Sequence, residues 1–139
     1  MNRAKPLVPA LAYVALTLVM TWPLAAGITR DVPADLGDSL LNLWILGWGS
    51  ERLLDVLSGG SFAAFWDGNI FYPEPLTLTF SEHLVGLAIQ TLPVYVGTGN
   101  LVLCYNLLFL ASFALSGLGT YLLVHRLTGH RCASRRPAA

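Results

Sequence analysis

The chain has 139 residues, of which 55% are hydrophobic and 12% charged, about half the charged share of an ordinary soluble domain. That composition argues against a soluble enzyme and for a membrane protein. A formal net charge of zero hides a segregation: six of the eight basic residues (Arg3, Lys5, Arg126, Arg131, Arg135 and Arg136) lie at the two ends, a pattern that reads as a topology signal rather than a nucleic-acid surface.

Residues 7–28 are 22 positions without a charge, enough at about 1.5 Å each to cross a hydrocarbon core of roughly 30 Å. They form the expected first transmembrane helix, within a segment 1–29 that starts in the cytoplasm. A secretory signal peptide, with Ala25-Ala26 near its cleavage site, is the competing reading. Pro23 is expected to kink or end the helix near Trp22.

With Arg3 and Lys5 inside, residues 30–99 become an extracytoplasmic loop. Every acidic residue of the chain falls in it: Asp31, Asp35, Asp38, Glu51, Asp55, Asp67, Glu74 and Glu82. Leu40, Leu41, Trp44, Ile45 and Trp48 recur at helical spacing, so an amphipathic helix is expected over about 38–57, with Asp38 or Ser39 as its N-cap. Glu51, Arg52 and Asp55 in its later turns suit a helix lying in the membrane interface. Asp38 and Asn42, four residues apart, share one face of it.

Ser58-Gly59-Gly60-Ser61 closes that helix. Residues 62–80 are aromatic and broken by Pro73 and Pro75, so they read as an ordered loop whose aromatics, Tyr72 among them, rest on lipid headgroups. A binding cage is the alternative use of the same aromatics. Thr79-Phe80-Ser81-Glu82 fits a capping box, which predicts a second juxtamembrane helix over about 83–97. Residues 84–96 include Pro93 and are too short for an ordinary span. Whether they lie on the surface or cross is left open.

Residues 101–124 are long enough to cross and make the second transmembrane helix, within a segment 100–125 capped by Asn100. Ser112, Ser116, Gly117, Gly119 and Thr120 give it a small-residue packing face, and Asn106 is expected to make an interhelical hydrogen bond. A basic tail, 126–139, then returns to the cytoplasm, leaving both termini inside a multi-pass protein of the inner membrane. Cys104 and Cys132 have no framework of partners, so neither a disulfide nor a metal site is expected from them. The expected fold class is an all-α membrane protein with two transmembrane helices and two juxtamembrane amphipathic helices.

Several stretches carry a family likeness: Gly37-Asp38-Ser39-Leu40-Leu41-Asn42-Leu43-Trp44, Phe71-Tyr72-Pro73, Phe80-Ser81-Glu82-His83-Leu84, Tyr105-Asn106, and Ser116-Gly117-Leu118-Gly119-Thr120-Tyr121-Leu122-Leu123 before Leu127-Thr128-Gly129. In this order the chain resembles the amino-terminal part of the GT-C superfamily of polytopic membrane glycosyltransferases, including uncharacterised bacterial YfhO-like members. The resemblance implies a polyprenyl-phosphate-linked sugar as donor. It also implies that the acidic residue of the first outer loop, here Asp38, is the catalytic base or the ligand of a divalent cation such as Mg or Mn.

Glu82 and His83 are further catalytic candidates, because adjacent ionisable groups at a helix mouth can bind a phosphate or relay a proton. Asn42 and Tyr72 are the candidate substrate contacts. The resemblance covers nearly all of this chain but only the beginning of the family. The expectation is therefore a glycosyltransferase-like amino-terminal piece, inactive alone, that works with other transmembrane helices or a complementing polypeptide. The rival is a small two-span membrane interaction protein without catalysis.

Overall fold

The structure, a computed structural model, describes residues 7–33, 36–80 and 82–128, with Leu36 by its backbone only. The basic amino terminus with Arg3 and Lys5, Asp35, Ser81 of the capping box, and the tail residues 129–139 with Cys132 lie outside the described residues.

Helix α1 runs Leu7–Met20, so the helix expected over 7–28 stops early. Pro23 has no N–H to donate and disfavours the helical conformation at Trp22; the chain turns at 21–23 and continues as a 3-10 turn, Leu24–Gly27. Helix α2 runs Leu36–Leu57. Asp38 therefore sits in its first turn and not at the N-cap, a correction to the expected capping role.

The end of α2 follows from its glycines. Gly59 has φ +100°, a conformation open to glycine at little cost. It lets the Gly59 and Gly60 N–H groups donate back to Val56 O at 3.0 Å and Asp55 O at 2.9 Å, the paired closure of a Schellman motif. Two 3-10 turns follow, Phe62–Phe65 and Thr77–Phe80, then α3, Val85–Thr98, and α4, Leu101–Thr128. Asn100 does cap α4, its Oδ1 accepting from the Leu103 N–H at 2.8 Å. All regular structure among the described residues is helical.

Helices α1 and α3, 14 residues each, reach only about 21 Å. Among the described residues one helix, the 28-residue α4, is long and apolar enough to cross a membrane.

The chain divides into two compact units. The central unit, residues 26–108, has a true core. Ile45, Phe65 and Leu78 are buried together, wrapped by Trp44, Trp48, Trp66, Leu84 and Val85. A second cluster, Leu46, Ala88 and Cys104, joins α2, α3 and the start of α4. Gly49 makes the close approach possible, since a β-carbon there would lie 3.2 Å from Ala88 Cβ and 3.7 Å from the Phe65 ring.

The terminal unit, residues 1–25 with 109–139, is different. Of its described residues only Thr17 and Leu24 are buried. Tyr13 of α1 packs against Gly117 of α4, where a β-carbon would come within 2.5 Å of the ring. Most remaining apolar side chains of this unit face outward, among them Met20, Phe113, Leu115, Leu123 and Leu127.

Candidate functional site

The functional candidates all lie in the central unit, and α2 sets the first of them. Asp38 is exposed in the first turn, where a carboxylate is favoured by the positive end of the helix dipole. It has no hydrogen-bond or ion-pair partner among the described residues. Leu41 and Asn42, three and four residues on, share its face. Asn42 is half-buried and likewise unpartnered.

Leu41 leads directly into an apolar pocket. With Trp44, Ile45, Ile70, Phe71, Leu78 and Phe80 it lines a cavity of about 380 Å³. The loop forming its far wall is held by its own hydrogen bonds: Asp67 Oδ1 accepts from the Leu76 N–H at 2.7 Å, the Thr77 hydroxyl donates to Gly68 O at 2.9 Å, and the Leu78 N–H donates to Trp66 O at 3.0 Å. Trp48 Nε1 donates to Phe65 O at 2.9 Å, tying α2 to the neighbouring turn. Tyr72, next to the pocket residue Phe71, is 97% exposed. It projects to solvent and does not line the cavity.

Glu82 and His83 belong to a different, shallower groove, lined also by Thr79, Phe80 and Gln90. The expected capping box does not form. The Thr79 hydroxyl is spent on Leu76 O at 2.7 Å within the preceding 3-10 turn, and α3 starts at Val85 behind Leu84, which has φ 43° and no side-chain cap. His83 instead stands edge-on to the Trp66 ring, 5.3 Å between centroids, and its Nδ1 accepts a long 3.5 Å contact from the Val85 N–H. Phe80 lines both the pocket and the groove, so one aromatic separates the cavity that Leu41 lines from the groove that holds Glu82 and His83.

Among the described residues no three His, Cys, Asp or Glu side chains gather as a metal site, so Asp38 would offer a divalent cation one carboxylate, the rest of its shell coming from a substrate phosphate and water. Asp38 offers a single carboxylate one helical turn before Leu41, which lines the apolar pocket.

Further along α2, Glu51 accepts a hydrogen bond from the Tyr95 hydroxyl of α3. That bond, with burial and the carboxylate charge behind it, pushes the Tyr95 pKa above its ordinary value. Arg52 lies over the Trp48 ring at 5.0 Å and 3.5 Å from Asp55. The Glu51–Tyr95 bond joins α2 to α3, whereas the Arg52 contacts lie within α2.

The sequence reading missed where Asn106 goes. It is fully buried, and its Nδ2 donates to the Ile28 and Asp31 carbonyls at 2.8 and 2.7 Å, so it binds the acidic connector, residues 28–33 with Asp31, that leads from the 3-10 turn toward α2, and makes no helix-to-helix bond. The available signal was the one amide within the uncharged run 101–124, at a position where an apolar residue would otherwise serve.

Against models of known protein families, curated proteins and solved structures, the chain finds no match.

Proposed function

We propose that the central unit is the outer, donor-facing part of a GT-C-type membrane glycosyltransferase-like protein, and that Asp38 is its reacting carboxylate. The observation that carries the reading is an exposed Asp38, without a partner among the described residues, one turn before Leu41, which lines an apolar pocket of about 380 Å³. That size lies within the roughly 300–1,000 Å³ typical of small-ligand pockets. A polyprenyl-phosphate sugar divides the same way, into an apolar chain and a polar headgroup.

In this reading the isoprenoid enters between Leu41, Trp44, Phe71 and Phe80, and the headgroup faces Asp38 and Asn42. Asp38 accepts the proton of the acceptor hydroxyl as its oxygen bonds to the sugar carbon and the phosphate leaves with the former bonding electrons. Helix α4 crosses the bilayer, and α1 with the 3-10 turn after it makes a second crossing. Both ends are then cytoplasmic in an inner-membrane protein acting with other transmembrane helices. Tyr72, fully outside the pocket, serves as an interfacial anchor.

The test is photolabelling of the full chain in lipid nanodiscs with a diazirine-bearing short-chain polyprenyl phosphate. Cross-links are expected on the pocket residues of α2 and the aromatic loop, and excess unlabelled polyprenyl phosphate should compete them away. Labelling confined to α4, or equal labelling by a diacyl phospholipid probe, sinks the reading.

A second reading, a small membrane interaction protein, draws on the exposed residues Ser112, Ser116, Gly119 and Thr120 of α4. They fall on one stripe at spacings of four, three and one, suited to close helix packing. It predicts an absence of pocket labelling together with helix association abolished by Gly119→Leu.

A further inference from the structure

We propose that Asn106 of α4 is a positioning residue for the acidic connector, and through it for Asp38; the second half of this rests on the role given to Asp38 above. Residues 28–33 form no helix of their own, so their carbonyls need partners from elsewhere. Side chains of α4 and α2 supply them. Asn106 Nδ2 donates to Ile28 O at 2.8 Å and Asp31 O at 2.7 Å, Asn100 Nδ2 donates to Thr29 O at 3.0 Å, and the buried Ser39 hydroxyl donates to Pro33 O at 2.7 Å.

Both amide protons of Asn106 are thereby used. Its Oδ1 is buried with no partner among the described residues, an arrangement disfavoured in a core. The position thus uses the amide for its two donors, not for a balanced pair of bonds. The connector's own N–H groups reinforce the turn, Arg30 and Asp31 both donating to Gly27 O, at 2.9 and 2.8 Å. With four carbonyls turned inward, the Arg30 and Asp31 side chains are left exposed.

The consequence reaches α2. Ser39 is joined to Pro33, two residues beyond the Asp31 carbonyl that Asn106 holds, and Asp38 immediately precedes Ser39. Asp38 has no side-chain partner of its own among the described residues, so its place depends on backbone that is anchored through Ser39 and the connector to α4. A general base is useful only when held close to its working geometry. Asn106 supplies that constraint from within α4.

Amide hydrogen exchange by NMR on the full chain in nanodiscs tests this. In Asn106→Leu, the Arg30 and Asp31 amides should exchange about tenfold faster or more, with a smaller rise at Asn42 and Leu43 one turn into α2. The Leu76 amide, held by Asp67, and the Gly99 amide, held by Tyr95 O at 2.7 Å, should not change. Leucine keeps the number and branching of asparagine's side-chain heavy atoms but has no donor, so a residue needed only to fill that shape would leave all these rates alone, and that result overturns the proposal. Equal acceleration at Leu76 and Gly99 also overturns it, because the effect would then be general unfolding. Asn100→Ala, at an accessible helix end, should loosen the connector near Thr29 without touching the core, and unchanged rates there count against the anchor. Photolabelling of the same samples separates the two claims: an unlabelled wild-type chain with the exchange response intact removes the functional reading alone.

Discussion

The two units of this chain are made from similarly apolar sequence and use it in opposite ways. The central unit buries Ile45, Leu46, Phe65, Leu78 and Ala88, and its buried Ser50 hydroxyl donates to Leu46 O at 2.8 Å. The terminal unit leaves most of its apolar side chains exposed. Apolar composition alone does not make a core. A core needs turns that bring segments back over one another, and Gly59, the aromatic loop and the Asn106 anchor do this for residues 26–108. Residues 109–128 of α4 have one packing contact of note, Tyr13 on Gly117, and their outward leucines and phenylalanines suit lipid as the surrounding solvent.

The largest expected effect should separate the units sharply. Phe65→Ala removes a side chain that is 0% exposed in the centre of the core and should lower the stability of the central unit by about 3–5 kcal/mol. Phe113→Ala, at a position 52% exposed in the terminal unit, should change it by no more than about 0.5 kcal/mol. Denaturant unfolding followed by the fluorescence of Trp44, Trp48 and Trp66 measures both, and similar losses for the two variants would erase the distinction. Gly59→Ala comes next, at about 1–2 kcal/mol, because alanine must take up a left-handed backbone at the end of α2. Unaltered stability in that variant would mean that the α2 terminus is free to rearrange.

Much of the helical layout was legible from local chemistry. Helix α2 lies two residues from its expected start and ends where Ser58-Gly59-Gly60 predicts, and Asn100 caps α4 as its residue type suggests. Legibility failed where a local motif competed with a longer-range demand. The capping box at Thr79 to Glu82 lost its threonine to a 3-10 turn, and Pro23 shortened α1 by forbidding helix at the residue before it as well as at itself. For the candidate site, Asp38 and Asn42 share a helix face as their spacing requires. The apolar pocket beside them depends on Ile70, Phe71 and Phe80, which return to α2 through a loop with no periodicity. The role of Asn106 depends on bonds to residues 75 and 78 positions away, which no local pattern encodes.

A smaller effect concerns the α2–α3 contact. The Tyr95 pKa is raised in the folded state, first by its hydrogen bond to Glu51. The protonated phenol is therefore favoured by folding, and its contribution is complete below the ordinary tyrosine value of about 10. It is lost as pH rises through the higher folded value. Melting temperature should fall more steeply above about pH 10 in the wild-type chain than in Tyr95→Phe. Parallel curves would show that this bond adds nothing to the central unit.

The smallest effect on the fold is expected at Asp38, and that smallness is informative. The residue lies in the central unit yet touches none of its core, and its one evident contribution is the interaction of a carboxylate with the first turn of α2, worth at most about 1 kcal/mol. Asp38→Asn keeps the shape and removes the charge, so unfolding should be nearly unchanged, and the pocket should still label with a polyprenyl phosphate probe. Only proton acceptance is lost. If Asp38→Asn instead destabilised the central unit as strongly as Gly59→Ala, the carboxylate would be part of the scaffold, and its exposure beside the pocket would carry no functional meaning.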